Sequence, residues 1–388
     1  MIGGVKTAFF LDWASGRMQT AGMVRLPRFI RRSLAGSPPL EAMQIEISSR
    51  CMLACTFCPI GVRNDPGSGA IMPVSLFDKL RPHFAGARFV HLQGWGEPML
   101  NPHIWEMIRT VKKEGALAGF TTAGMLFNER AVARLFESGA DYVSITIAGA
   151  TQLTHGAHRV HSDIERILTG IRLISSRKKL EGIGGPRISV SYMMTSSNMG
   201  ELPEALRRAV ESGADDFYAT NLDCVFNADA DRARVFTWEG EPAAGYTSVI
   251  DRARVFAAGL DFSFRPYPLS AGECPVCELD PSRFMFITAE GEVCPCTYLS
   301  RQENRRIYKG KEYLYKRLSF GNVGVDDLSV IWRRKKYLEF RKCFERRREA
   351  DRKLGAYREG GSPFDAIGAL NPPPLNDVCS TCAKAYGV

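Results

Sequence analysis

No run in the 388-residue chain approaches the roughly 18 consecutive apolar residues of a membrane span. Asp12 interrupts the N-terminal "KTAFFLDWASG" too early for a secretory hydrophobic core, so nothing directs export and the expected compartment is the cytoplasm. A reducing cytoplasm in turn excludes a disulfide scaffold, although the chain carries 11 cysteines. Internal repeats are also missing, apart from one alternation described below. What remains is an ordinary soluble composition, 45% hydrophobic and 24% charged, long enough to bury a large core and to divide into two units. Clustered thiols in such a chain point to metal or catalysis.

The formal net charge is +9, and residues 301–355 hold 18 Lys/Arg against 8 Asp/Glu, a local excess that accounts for the whole surplus. Such a stretch would suit an acidic partner: a peptide leader, a phosphate or a nucleic acid. It reads equally as a solvated helix, "IWRRKKYLEFRKCFERRREADRK", with Ile331, Trp332, Leu338, Phe340 and Phe344 turned inward. The helix is preferred, because no aromatic residues interleave with the charges on an exposed face. Nucleic acid is therefore not an expected partner, and neither is a membrane.

Strand-like runs at 43–47, 88–93, 117–122, 142–147, 187–193 and 216–220 alternate with amphipathic stretches such as "NPHIWEMIRTVKKEG" and "NERAVARLFESGAD", which end near Gly115 and Gly139. Six βα units predict an α/β fold, a parallel sheet curled by right-handed crossovers into a partial, open (β/α)6 TIM-like barrel. Functional residues belong where its strands end. The expected division is an N-terminal extension at 1–40, the barrel at 41–222, a less regular connection at 223–265, and a small cysteine-rich α+β unit at 266–388. Within the last unit, "EGGSPFDAIGALNPPPLND" reads as a loop.

Cys51, Cys55 and Cys58 directly follow the first strand. A zinc site would bring a fourth Cys or His nearby, whereas the nearest later candidates, His83 and His91, lie more than twenty residues on. Three thiolates on a tight loop suit a [4Fe–4S] cube, capping three irons and leaving the fourth for a non-protein ligand. Phe57 can shield such a cube from water. The bland alternative is three buried cysteines without metal. With its strand context, "CMLACTFC" resembles the CxxxCxΦC loop of the radical S-adenosylmethionine (radical SAM) superfamily. That resemblance implies an open iron that binds the amino and carboxylate groups of S-adenosylmethionine, and a reduced cluster that cleaves it to a 5′-deoxyadenosyl radical.

A second match ends the next strand: Trp95-Gly96-Glu97-Pro98 resembles the family's GGEP motif, with Trp in the first glycine position. A small residue lets backbone approach the ligand, and Glu97 would accept from its ammonium group. "TTAG" at 121–124 resembles the family's TNG with Ala123 for asparagine, and "TIAG" at 146–149 resembles SxDG with Ala148 for the acid, which leaves Thr146 as the cofactor residue there. Arg159 stands where the family often pairs an arginine with the S-adenosylmethionine carboxylate, although a surface salt bridge is the equal alternative. His155, His158 and His161 have helix-face or loop spacing and are not read as metal ligands.

The C-terminal unit adds Cys274, Cys277, Cys294, Cys296, Cys379 and Cys382. "CELDPSRFMFITAEGEVCPC", with Gly291-x4-Cys296, resembles the start of the SPASM and Twitch extensions of radical SAM enzymes. "FGNVGVDDLSVIWRRKKYLEFR" and Cys379-x2-Cys382 resemble their later parts. A complete SPASM unit needs further cysteines for two auxiliary clusters, and the chain stops six residues after Cys382, so one Twitch-like auxiliary [4Fe–4S] cluster is expected. Cys277, Cys296, Cys379 and Cys382 are its expected ligands, with Cys274 and Cys294 as alternates and a zinc ribbon as the competing reading. Cys224 and Cys343 read as ordinary buried thiols.

The resemblance implies an oxidoreductase that abstracts hydrogen from an unactivated C–H bond, expected on a peptide or protein side chain, with the auxiliary cluster taking up the electron. A small molecule or tetrapyrrole is the alternative substrate, and residues 1–40 are too short for a fused winged-helix leader-binding unit. The expected partners are that substrate and a low-potential electron donor such as flavodoxin or ferredoxin. An iron–sulfur electron carrier and a basic zinc protein that binds nucleic acid are the non-enzyme alternatives. The GWGEP stretch opposes both, since neither needs an aminoacyl cradle beside an open iron.

Overall fold

A computed structural model describes residues 40–61, 69–222, 224–358 and 373–388. The expected N-terminal extension, except Leu40, and residues 359–372 of the expected loop lie outside the described residues. Seven parallel strands follow in chain order: β1 (Ala42–Ile45), β2 (Phe89–His91), β3 (Leu117–Thr122), β4 (Tyr142–Ile147), β5 (Arg187–Met193), β6 (Asp216–Thr220) and β7 (Ser263–Pro266). The last extends the sheet beyond the six strands read from sequence. Helix Ala244–Gly259 and β7 thus give regular structure to part of the expected connection. "SFRP" is short, half-exposed and ends in proline, which hides an edge strand from pattern reading.

Beyond β1, the sheet continues into the C-terminal unit. Strand β8 (Phe284–Ile287) pairs in parallel with β1, Ala42 against Phe284 through Ile45 against Ile287, and β9 (Val293–Cys294) returns antiparallel. The sheet order β7-β6-β5-β4-β3-β2-β1-β8-β9 leaves β7 and β9 as edges, so the barrel is open. A separate hairpin joins β10 (Glu303–Tyr308) to β11 (Lys311–Lys316).

Period-2 patterning decides what each face does. Val143, Ile145 and Ile147 of β4 turn to the helices and join the main apolar core, as do Ile188, Val190 and Tyr192 of β5. The alternate residues Ser144, Ser189 and Ser191 are buried on the other face. That inner face is hydrogen-bonded: His91 contacts the Tyr142 hydroxyl at 2.6 Å and Gln93 at 2.6 Å, and Ser144 contacts Tyr218 at 2.6 Å. A barrel lined this way offers a polar floor rather than packed aliphatic layers. Helix Glu129–Ser138 shows how sequence sets the outer layer. Asn128 accepts from the Ala131 N–H at its start, and Gly139 at φ 71° ends it in the left-handed conformation.

The basic C-terminal stretch forms helices Leu328–Trp332 and Lys335–Arg358. Ile331, Trp332, Phe340 and Phe344 are buried as expected, but Tyr337 takes the inward place and Leu338 is half-buried. Arg341 and Arg347 are also buried, so the helix is not simply solvated. The Arg341 guanidinium lies 3.5 Å from the Trp332 ring centroid, and Arg347 donates to Pro275 and Pro373 carbonyls and to Glu273. Internal contacts therefore consume part of the charge excess. Among the described residues no helix is long and apolar enough to cross a membrane.

Candidate active site and auxiliary metal centre

The cysteine loop follows β1 by way of Ser48–Arg50 and is pinned from two sides. The turn after helix Gln152–His158 accepts two of its amides, Ala54 N–H to Val160 O at 3.2 Å and Thr56 N–H to His158 O at 3.0 Å. His158 also packs its ring 5.5 Å from that of Phe57. From the other side, the stretch after β2 lies directly on the loop's root. Glu97 N–H donates to Arg50 O at 2.7 Å, and a Cβ on Gly96 would stand 2.4 Å from that oxygen and 2.5 Å from Ser48 O. Glycine is required there by backbone packing within the protein.

Glu97 is buried and heavily engaged. Its carboxylate accepts from Met99 N–H at 3.0 Å, Thr122 Oγ1 at 2.7 Å and Ala123 N–H at 2.8 Å. Burial raises its pKa, while these donors and the Arg159 charge oppose the rise. With three bonds made, a carboxylate retains about one lone-pair site for an external donor. Ala123 serves Glu97 through its main-chain N–H, which any residue but proline at this position would supply. Sequence reading passed over Thr122, whose hydroxyl completes the clamp.

One cavity of about 260 Å³ collects Cys51, Cys55, Cys58, Trp95, Gly96, Glu97, Thr146 and Arg159. Pro98 is buried and opens the turn Pro98–Leu100 without lining the cavity. Arg159 is 8% exposed, and its Nε–H has no partner. That is the state expected of a guanidinium awaiting an anion, since a buried unpaired donor is costly. His155 behaves as a core histidine: its Nδ1 accepts from Ala148 N–H at 3.2 Å, its Nε2 meets Ser162 Oγ at 2.9 Å, and burial lowers its pKa to about 3. The C-terminal unit supplies a wall that sequence reading missed, including Glu278, Leu279, Thr297 and Tyr298.

A second, smaller cavity brings together Cys277, Cys296, Cys379 and Cys382. The alternates fall elsewhere. Cys274 points its Sγ at Gly272 O at 3.5 Å, and Cys294 is buried on β9 near Arg317 and Glu292. Burial pushes Cys51 up to about 12 and Cys296 up to about 12, with neighbouring thiolates adding to the rise. Bound iron would reverse that balance by stabilising the thiolates. Among the described residues no three His, Cys, Asp or Glu side chains are arranged to hold one metal ion. Zinc needs its donors about 2.0–2.3 Å from a single point. A cube instead takes each thiolate at a different corner, and all-sulfur donor sets of three and of four suit it.

These features define a protein that pairs a three-thiol loop in an open barrel with a second, four-thiol cavity in its C-terminal unit. The model of the radical SAM superfamily matches residues 45–209, and that of the SPASM iron–sulfur cluster-binding domain matches residues 277–354. The chain belongs to the radical SAM superfamily, is an enzyme of that class, and carries a C-terminal SPASM domain. Its domains imply a [4Fe–4S] cluster with S-adenosylmethionine and an auxiliary iron–sulfur cluster.

It is 27% identical over 310 residues to the tungsten-containing aldehyde ferredoxin oxidoreductase cofactor-modifying protein of Pyrococcus furiosus, covering 78% of this chain and 83% of that one. To the PqqA peptide cyclase of Gluconobacter oxydans it is 24% identical over 184 residues, 46% of this chain and 48% of that one, and so spans about half of that relative. The solved structure of Streptococcus suis SuiB bound to precursor peptide SuiA superposes with a TM-score of 0.55 at 14% identity, over 90% of this chain and 71% of SuiB. At that identity the likeness is one of fold.

Proposed function

We propose that the enzyme oxidises an unactivated C–H bond of a peptide or protein side chain by radical SAM chemistry, with the auxiliary cluster as electron acceptor. One observation carries the reading: the two thiol cavities share a wall, since Leu279 and Tyr298 line both. Cys51, Cys55 and Cys58 would hold the first cluster, and Cys277, Cys296, Cys379 and Cys382 the second. When bound and reduced, the first cluster with S-adenosylmethionine supplies the 5′-deoxyadenosyl radical that abstracts hydrogen. Arg159 would pair its planar fork with the cofactor's carboxylate. Glu97 holds the GWGEP stretch against the cysteine loop and offers its remaining lone pair to the ammonium. Thr146 would face the cofactor from the end of β4. A low-potential donor of the flavodoxin or ferredoxin type would supply the reducing electron.

Peptide substrates are supported by the relatives: the PqqA peptide cyclase by its name, and SuiB by its bound precursor peptide. A small molecule or tetrapyrrole is the second reading. It is favoured by the cofactor-modifying relative, which this chain covers most fully of the two relatives compared. Anaerobically reconstituted protein should carry about eight irons, the content of two cubane clusters. With S-adenosylmethionine and reductant it should release 5′-deoxyadenosine, and Cys55→Ala should not. Turnover against peptides encoded beside the gene, followed by mass spectrometry, should show a peptide losing hydrogen. Turnover of a tetrapyrrole alone would assign the second reading.

A further inference from the structure

Arg306 stands beside the four thiols without belonging to either thiol set. The residue is 6% exposed and lines the same small cavity as Cys277, Cys296, Cys379 and Cys382. Main chain holds it there: Nη1 donates to Val378 O at 2.5 Å and Nη2 to Tyr298 O at 3.2 Å. Val378 immediately precedes Cys379, and Tyr298 lies two residues beyond Cys296, so the cation is registered against two of the four thiols. The Tyr315 ring covers it, with its centroid 5.2 Å from the guanidinium carbon.

Both of these hydrogen bonds go to neutral carbonyls, no carboxylate among the described residues forms an ion pair with it, and the ionisable groups around it are the thiols of Cys382, Cys296, Cys224 and Cys379. The other buried cation at this cavity, Lys384, differs, because Glu278 pairs with it at 3.2 Å. Burying a charge without its own counter-ion is expensive. An anionic cluster in the four-thiol cavity would remove that penalty.

We propose that Arg306 is the fixed counter-charge of the auxiliary cluster and raises its reduction potential, which biases the cluster toward accepting an electron. This rests on the reading that the four thiols hold that cluster. Reduction adds one negative charge to a site that already bears four thiolates. A cation held close by in a low-dielectric interior favours the reduced form over the oxidised one. Four protein thiols also complete the corners of a cube, which leaves no iron for a substrate and fits an acceptor rather than a substrate ligand.

The test is an EPR-monitored redox titration of the reconstituted full-length enzyme. S-adenosylmethionine is present, so that the first cluster's signal is recognised by its response to the cofactor. Arg306→Gln should lower the reduced-to-oxidised ratio of the auxiliary cluster at fixed potential at least tenfold, about 59 mV for a one-electron couple. Arg306→Lys should stay near the parent ratio. An unchanged ratio in Arg306→Gln overturns the proposal, and so does an equal fall in both variants, which would trace to the lost carbonyl bonds. Should Arg306→Gln fail to assemble, Arg306→Met decides, because it keeps an unbranched side chain in the cavity without the charge. It should give the same fall, and no change overturns the idea. Parent protein with about four irons plus zinc would instead sink the cluster reading itself.

Discussion

The indole N–H of Trp95 donates to the Ser300 hydroxyl at 3.1 Å and so ties the turn after β2 to the C-terminal unit. Arg301 lays its guanidinium 5.7 Å from the same indole and reaches Pro59 O at 3.4 Å, beside the cysteine loop. The tryptophan that departs from the GGEP pattern is thus a bracket between barrel, cysteine loop and C-terminal unit. Trp95→Phe, which keeps a ring but loses the hydrogen bond, should cost about 1 kcal/mol. Trp95→Gly should cost at least twice that, through lost apolar and cation–π contact. Urea denaturation of the anaerobic holoprotein reads both, and equal midpoints for the two variants would mean the ring contributes nothing.

Gly96→Ala should displace the cysteine loop, because the new Cβ would press on Arg50 O at 2.4 Å and Ser48 O at 2.5 Å. Iron content should fall from about eight to about four per chain while the auxiliary cluster's absorbance survives. Retention of all iron would show that the loop adjusts.

For Arg159, loss of the fork should weaken S-adenosylmethionine binding. Arg159→Lys should raise the Kd about tenfold, or about 1.4 kcal/mol, and Arg159→Ala more. Isothermal titration under anaerobic conditions measures this, with iron content as the control that the cluster is intact.

Glu46 gives a pH signature. Burial raises its carboxyl to about 7, against opposing N–H bonds from Trp95 and Ala289. The folded state therefore binds its proton more tightly than the unfolded chain, and stability from this group is present at acid pH and lost as pH rises from about 4.5 toward 7. Glu46→Gln should match the parent near pH 4.5 and exceed it at pH 8 by up to about 3 kcal/mol. Comparing denaturation midpoints of the two proteins isolates this group from histidines such as His91, which burial lowers to about 4 and which titrate identically in both.

Cys296→Ala should remove the auxiliary cluster, and Cys294→Ala should not, because only Cys296 of the pair lines the four-thiol cavity. Iron content decides this directly, and loss of iron from the Cys294 variant would reassign the ligands.

Much of this was legible in the linear chain. Alternation in "YVSITI" and "RISVSYM" marks strands because one face meets helices and the other the polar interior, and both were located at the bounds β4 and β5 show. The three thiols and GWGEP were legible because both are local loops at strand ends. Less was visible where a role depends on distant chain. Tyr298 and Arg306 carry no motif, and Thr122, though inside the "TTAG" stretch, shows its hold on Glu97 only once folding sets the two together. β7 was hidden by its brevity and its proline, and the inward arginines Arg341 and Arg347 by the presumption that charge faces water.

The pairing of β1 with β8 has a consequence for synthesis. The strand that launches the cofactor loop, residues 42–45, keeps one open flank until residues 284–287 arrive, nearly two thirds of a chain length later. A nascent barrel leaving the ribosome would thus expose a hydrogen-bonding edge on its oldest strand. The strand that leads into the three-thiol loop therefore gains its second neighbour only once the auxiliary unit has been made.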